Sequence, residues 1–245
     1  MAARVLPLRE IKQSLRSDEL KEKNESLGVR VNDLINLINH GFDVSDAFVL
    51  TQKAYLDFLS HNNLEKKVKH LLTSGASNFV DKHLKQAELP KNLIDEILKE
   101  YKKFGTVLED ANVNVNGQKI GGDAALIEKI RELWSGRLEG GGSLADRRGE
   151  NNAILVQKIH YGKHGKLRTS SKFINTIYSL SDEEIFILEN LIAKFKKLFY
   201  LPYEIDFTLE KGKALINKIK PEAHVALQNL EVSETHYKII RNSAI

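Results

Sequence analysis

Apolar residues at Val31, Leu34, Ile35, Leu37 and Ile38 recur at helical spacing, and His40-Gly41 follows them. This pattern predicts a helix that ends at a glycine able to take a left-handed conformation. "VSDAFVLT" (Val44 to Thr51) predicts a short strand, and "QKAYLDFLSH" a second helix with Ala54, Tyr55, Phe58 and Leu59 inward. "LPKNLIDEILKEYKKFG" predicts a helix that opens near Pro90 and stops at Gly105. "NVNVNGQKIGG" alternates polar and apolar residues and then turns, as a half-buried strand does. "DAALIEKIRELW" is helical in pattern, with Ala125, Ile127, Ile130 and Trp134 as expected core positions. "AILVQKIHY" reads as a strand and "KFINTIYSLS" as another. Ser181 and Glu184 have capping-box spacing and open a helix from Asp182 to about Tyr200. "YEIDFTLEKGKALINKIKP" predicts a hairpin around Lys211-Gly212, with Ile205, Phe207 and Leu209 on one face. No internal repeat is visible. Helices lead and strands cluster later, so the expected class is α+β, a helix-rich N-terminal part followed by a mostly antiparallel sheet with covering helices.

Composition narrows the function classes. The chain has 245 residues, 42% hydrophobic and 29% charged, with 15 Gly and 4 Pro, which describes a soluble globular protein with a sizeable core. It contains no Cys, which removes disulfides, thiolate nucleophiles and Cys-ligated metals. The net charge of +4 is too small and too dispersed to argue for nucleic acid. The N-terminus has no signal-like apolar core, and no run reaches the roughly 18 apolar residues of a membrane span. A cytoplasmic location is therefore expected, with no membrane partner.

Local motifs add little. "GVRVNDL" and "GQKIGGDAA" set glycines near basic residues, but neither matches a Walker sequence or a dinucleotide fingerprint. "EGGGSLADRRGENN" (Glu139 to Asn152) and "YGKHGK" are expected to be exposed, poorly ordered loops. The eight histidines are scattered without zinc-ligand spacing. "KFKKLFY" (Lys194 to Tyr200) reads as a solvated helix face with Phe195, Leu198 and Phe199 inward.

The stretch "GVRVNDLINLINHGFDVSDAFVLTQKAYLDFL", from Gly28 to Leu59, resembles the N-terminal nucleotide-binding domain of phosphoenolpyruvate synthase and pyruvate phosphate dikinase. That domain pairs an "aGfpVPpGFviT" strand with an "eAYreFL" helix. "NVNVNG…GGDAALIEKIRELWSGR", "AILVQKI" and the segment from "LSDEEIF" to "NKIKP" are similar to later blocks of the same domain, in the same order. The resemblance implies an ATP-grasp fold over residues 28–221, with lobes of roughly 28–110 and 111–221. Residues 1–27 form a charged lead-in and 222–245 a tail.

It also implies a nucleotide site. The family's nucleotide-binding Lys falls at Arg30, its metal-binding Glu at Asp206, its second ligand Gln at Lys218, and its Arg before the final Pro at Lys220. The "VPPGF" prolines and the phosphate-clamping Arg of "VRSSA" have no counterpart, and the "T-x-G-G-x-x-S-H" phosphohistidine motif is absent from these residues. ATP and Mg²⁺ are the implied cofactors, with Asp206 the implied metal ligand. An ammonium at an oxygen-ligand position removes a metal bond and adds repulsion. The leading expectation is therefore a degenerate domain acting as a binding or regulatory module. One alternative is an active ATP-binding half of a phosphotransferase that passes phosphate to a His on a separate protein. Another is a structural subunit that meets an acidic protein partner. The hairpin around Gly212 is expected to join the "AILVQKI" strand in one sheet. The 181–200 helix should cover it through Ile185, Leu188, Leu191, Ile192 and Phe195, and Lys218 should pair with Asp206.

Overall fold

A computed structural model describes residues 3–14, 27–66, 87–106, 109–139, 152–171 and 173–222. In chain order the elements are β1 (Val5–Pro7), α1 (Leu8–Ser14), α2 (Val29–Asn39), β2 (Ala47–Leu50), α3 (Gln52–His61), α4 (Lys91–Lys102), β3 (Asn112–Val115), β4 (Gln118–Gly121), α5 (Asp123–Glu139), β5 (Ile154–Lys158), β6 (Lys163–Arg168), β7 (Phe173–Asn175), α6 (Asp182–Leu198), β8 (Tyr203–Glu210) and β9 (Lys213–Pro221). Six helices and two antiparallel sheets among the described residues make the chain α+β. None of these helices is long and apolar enough to cross a membrane.

The chain divides into two units, Met1–Gly41 with Ser45–Ile159, and Phe42–Val44 with His160–Ile245. This division falls at Ile159, whereas the family-based lobes divide at residue 110. The first unit holds a five-stranded sheet in the order β1-β2-β5-β3-β4. All four residues of β2 are buried, as befits an inner strand covered on both faces. The helix patterns are realised here, with Val31, Leu34, Ile35 and Leu37 buried on α2 and Ala54, Tyr55, Phe58 and Leu59 on α3. On α5 the buried stripe is Leu126, Ile130 and Trp134, four residues apart. Ala125 is exposed, which corrects its expected place in the core, because Leu126 offers more apolar area at the inward position. Val5–Pro7 pairs with β2, Leu8 and Ile11 are buried, and Arg4 forms an ion pair with Glu96 of α4.

Tyr101 ties this unit together. Its hydroxyl donates to Ala111 O at 2.5 Å and accepts from the Gly122 amide at 2.8 Å, so one buried side chain joins α4 to both ends of the β3–β4 hairpin.

The second unit holds a four-stranded sheet in the order β7-β6-β8-β9. Phe42–Val44 belongs to it: Val44 bridges Ile216, and the Phe42 ring lies 4.7 Å from that of Phe195. The hairpin at Lys211-Gly212 forms as expected, with φ of 51° and 71° at its two central residues. The capping box of Ser181 and Glu184 opens α6. Leu188, Leu191, Ile192 and Phe195 of α6 are buried, while Ile185 is 38% and Leu198 39% exposed, so those two inward assignments are corrected.

Two further expectations fail. The hairpin does not share a sheet with "AILVQKI": β5 pairs with β2 and β3, and β8 with β6 and β9. Alternation shows which face of a strand is buried but not which strand lies beside it. "YGKHGK" is not a loose loop, because its residues from Lys163 onward run in β6, paired to both β7 and β8. Its glycines are packing devices. A Cβ on Gly165 would lie 2.6 Å from Phe207 Cζ, and one on Gly162 would lie 1.9 Å from Leu209 O. The Gly140–Gly142 segment, expected to be exposed and poorly ordered, lies outside the described residues.

Candidate functional site

Three short segments share a charged–apolar–charged pattern: Lys166-Leu167-Arg168, Glu204-Ile205-Asp206 and Lys218-Ile219-Lys220. Strand alternation sends the middle residue of each to one face and the charged pair to the other. The register brings the three patterns side by side. Lys166 lies opposite Asp206 and Arg168 opposite Glu204, while Lys218 and Lys220 meet the same two acids from β9. A bulge on β9 lets Ile216 and Ile219, three residues apart, lie opposite Phe207 and Ile205 respectively.

The charged face therefore carries four cations and two carboxylates. Glu204 sits at its centre. Its carboxylate lies 2.9 Å from Lys220 Nζ, 3.5 Å from Lys166 Nζ and 3.6 Å from Arg168 Nε. The Glu204 side chain is only 12% exposed, whereas those of the three cations are more than half exposed. The hydrogen bond from Lys220 holds the Glu204 carboxyl below the usual range; burial opposes this, and the charges of Lys220 and Lys166 reinforce it. Lys166, Arg168, Asn175, Glu204 and Lys220 line a depression of about 300 Å³.

Beside this depression, Asn217 Nδ2 donates to Thr208 Oγ1 at 2.9 Å, and His164 Nδ1 lies 2.8 Å from the same oxygen. The bulge that admits Asn217 to β9 thus places its amide on the polar face.

Of the residues singled out from the sequence, Asp206, Lys218 and Lys220 come together on this face. The expected Asp206–Lys218 pair does not form. Although the two are cross-strand neighbours, the Asp206 carboxylate pairs with Lys166 at 3.6 Å. The β6 lysine reaches it from the other side, where the chain has no bulge. Arg30 lies in the other unit, on α2, where Nη2 donates to Gln157 Oε1 of β5 at 3.1 Å. Gln157 itself is buried. Lys166, Arg168, Asn175 and Glu204 were not foreseen. The repeated charged–apolar–charged pattern was the available signal. No group of three or more His, Asp or Glu residues among the described residues could hold a metal ion.

Solved structures similar in arrangement include D-alanine–D-alanine ligase from Bacillus anthracis complexed with ATP. That match has 11% identity, covers 65% of this chain and 62% of that one, and has a TM-score of 0.33. C-terminally truncated Cdc123 from Schizosaccharomyces pombe matches with 11% identity over 86% of this chain and 92% of that one, at a TM-score of 0.46. Cdc123 from the same organism matches at 12%, over 81% and 85%, with a TM-score of 0.45. At these values the likenesses say nothing about activity. Comparison with curated proteins gives no match. Residues 23–116, which include Arg30 but not the β8–β9 hairpin, match the family described as pyruvate phosphate dikinase, AMP/ATP-binding domain.

Proposed function

We propose that the chain is a nucleotide-binding module of the ATP-grasp type, and that the charged face of the β7-β6-β8-β9 sheet receives the phosphates. The similarity of residues 23–116 to an AMP/ATP-binding domain supports a nucleotide as the class of ligand. The observation that carries the reading is the clustering of Lys166, Arg168 and Lys220 around one shielded carboxylate at a depression of about 300 Å³. An oxyanion entering this depression gains three cationic neighbours without assembling them. Within the first unit, Arg30 stands where the resembling family has its nucleotide-binding Lys, and its planar fork, held on Gln157, suits a bidentate oxyanion better than a point contact.

The module binds phosphate rather than transferring it. Mg²⁺ is commonly held by one or two carboxylates together with phosphate oxygens. Asp206 and Glu204 are the carboxylates available, and both already lie within ion-pair distance of Lys166. Lys218 stands directly across from Asp206, where the resembling family has an oxygen ligand. This donor set fits an anion neutralised by side chains and does not fit a metal held by the protein. Asp206 acts here as the partner of Lys166.

Calorimetric titration with ATP, in Mg²⁺ and in EDTA, tests the reading. Binding should occur in both and should weaken with salt. Lys218→Gln should gain Mg²⁺ dependence, because it restores an oxygen beside Asp206 and removes a competing ammonium. Tight, strictly Mg²⁺-dependent binding by the unmodified chain would favour the active half-enzyme. No binding in either buffer would favour a structural subunit.

A further inference from the structure

Thr208 is 1% exposed, so its hydroxyl must find its partners within the protein. A hydroxyl has one proton to donate and two lone pairs to accept with. Asn217 Nδ2 fills one lone pair, at 2.9 Å. The other partner is His164 Nδ1, at 2.8 Å. Of these two partners only Nδ1 can accept, so a neutral ring with its proton on Nε2 satisfies the Thr208 donor, whereas an Nδ1–H ring leaves that buried donor without an acceptor among them. His164 is exposed and lies two residues before Lys166 on the same face of β6, about 7 Å along the strand.

We propose that His164 is a binding residue of this face, presenting Nε2–H as a fixed, neutral donor to a phosphate oxygen of the bound nucleotide. The inference rests on the nucleotide-binding reading above and adds to it a residue, an atom and a tautomer. Thr208 and Asn217 are the positioning residues. They hold Nδ1 as an acceptor, so the ring stabilises a phosphate as a donor and has no free nitrogen lone pair with which to attack one. The neighbouring lysines attract any anion, whereas a single oriented N–H selects an oxygen at a defined height on the face.

The test uses the full chain. Long-range ¹H–¹⁵N spectra of the imidazoles should show His164 as the Nε2–H tautomer, and its Nε2 resonance should move on addition of inorganic triphosphate. Thr208→Val should abolish the tautomer preference. His164→Ala should weaken ATP and inorganic triphosphate by the same factor, about tenfold, as expected for one lost hydrogen bond to a charged acceptor. An Nδ1–H tautomer in the unmodified chain would overturn the proposal. So would unchanged triphosphate affinity in His164→Ala, or a loss confined to ATP, which would place the contact on the nucleoside. Failure of the unmodified chain to bind either probe would overturn the nucleotide-binding reading and this inference with it.

Discussion

Replacing Glu204 by Gln should lower stability and raise anion affinity together. The carboxylate faces Lys220 at 2.9 Å, Lys166 at 3.5 Å and Arg168 at 3.6 Å. Exposed ion pairs contribute about 0.2–1 kcal/mol each, and the 12% exposure of Glu204 places these towards the upper part of that range. The neutral amide should therefore cost about 1–2 kcal/mol, a fall in Tm of roughly 2–8 °C for a chain of this size. The carboxyl titrates below its unfolded value, so its contribution is complete above the ordinary glutamate range near pH ~4.3 and is lost as pH falls through the depressed folded value. The difference between parent and variant should be flat from about pH 7 to 5 and shrink below about pH 4. Binding should move the other way. Removing one negative charge about 4 Å from the anion is worth about 1 kcal/mol in water, or roughly fivefold tighter triphosphate binding, diminishing as salt rises. Urea unfolding across pH and triphosphate titration at two ionic strengths measure both arms. A variant as stable as the parent at pH 7, or one that binds triphosphate more weakly, would refute the account of Glu204 as the counter-charge of an anion site.

Gly165→Ala places a methyl 2.6 Å from Phe207 Cζ and 2.9 Å from Asn175 O, and should destabilise by about 1–3 kcal/mol in thermal unfolding; an unchanged Tm would show that β6 can shift at no cost. Tyr101→Phe leaves Ala111 O and the Gly122 amide without their shared hydroxyl and should cost about 1–3 kcal/mol in urea, whereas a neutral result would mean that water replaces it.

Much of the secondary structure was legible because period alone encodes it. The stripes on α2 and α3, the capping box at Ser181 and the hairpin at Lys211-Gly212 depend on contacts within a few residues of chain. β6 was illegible for a physical reason. Its inward positions are Lys163, Gly165 and Leu167; Lys163 reaches Glu184 of α6, and the ring of Phe207 occupies the space a side chain at 165 would need. The apolar face of that strand is thus supplied partly by another strand, and the sequence "KHGKLR" shows only one apolar residue. β1 was missed because three residues carry no period, and its place is set by the β2 edge that receives it.

The candidate site divides in the same way. The residues themselves determined that Glu204 and Asp206 share one face of their strand and Lys218 and Lys220 one face of theirs; the register of the two-residue turn alone would set Asn217 across from Asp206, and the bulge in β9 is what brings both pairs to the same face. Only the tertiary structure decided that β6 lies against β8, bringing Lys166 to Asp206 and Arg168 to Glu204 across some 40 residues of chain. It also assigned Arg30 and β5 to one unit and the hairpin to the other. The reason is that strand pairing is chosen by which buried faces can be covered at once, a sum over the whole chain, whereas the face a side chain takes on its own strand is settled by the two-residue repeat of the backbone.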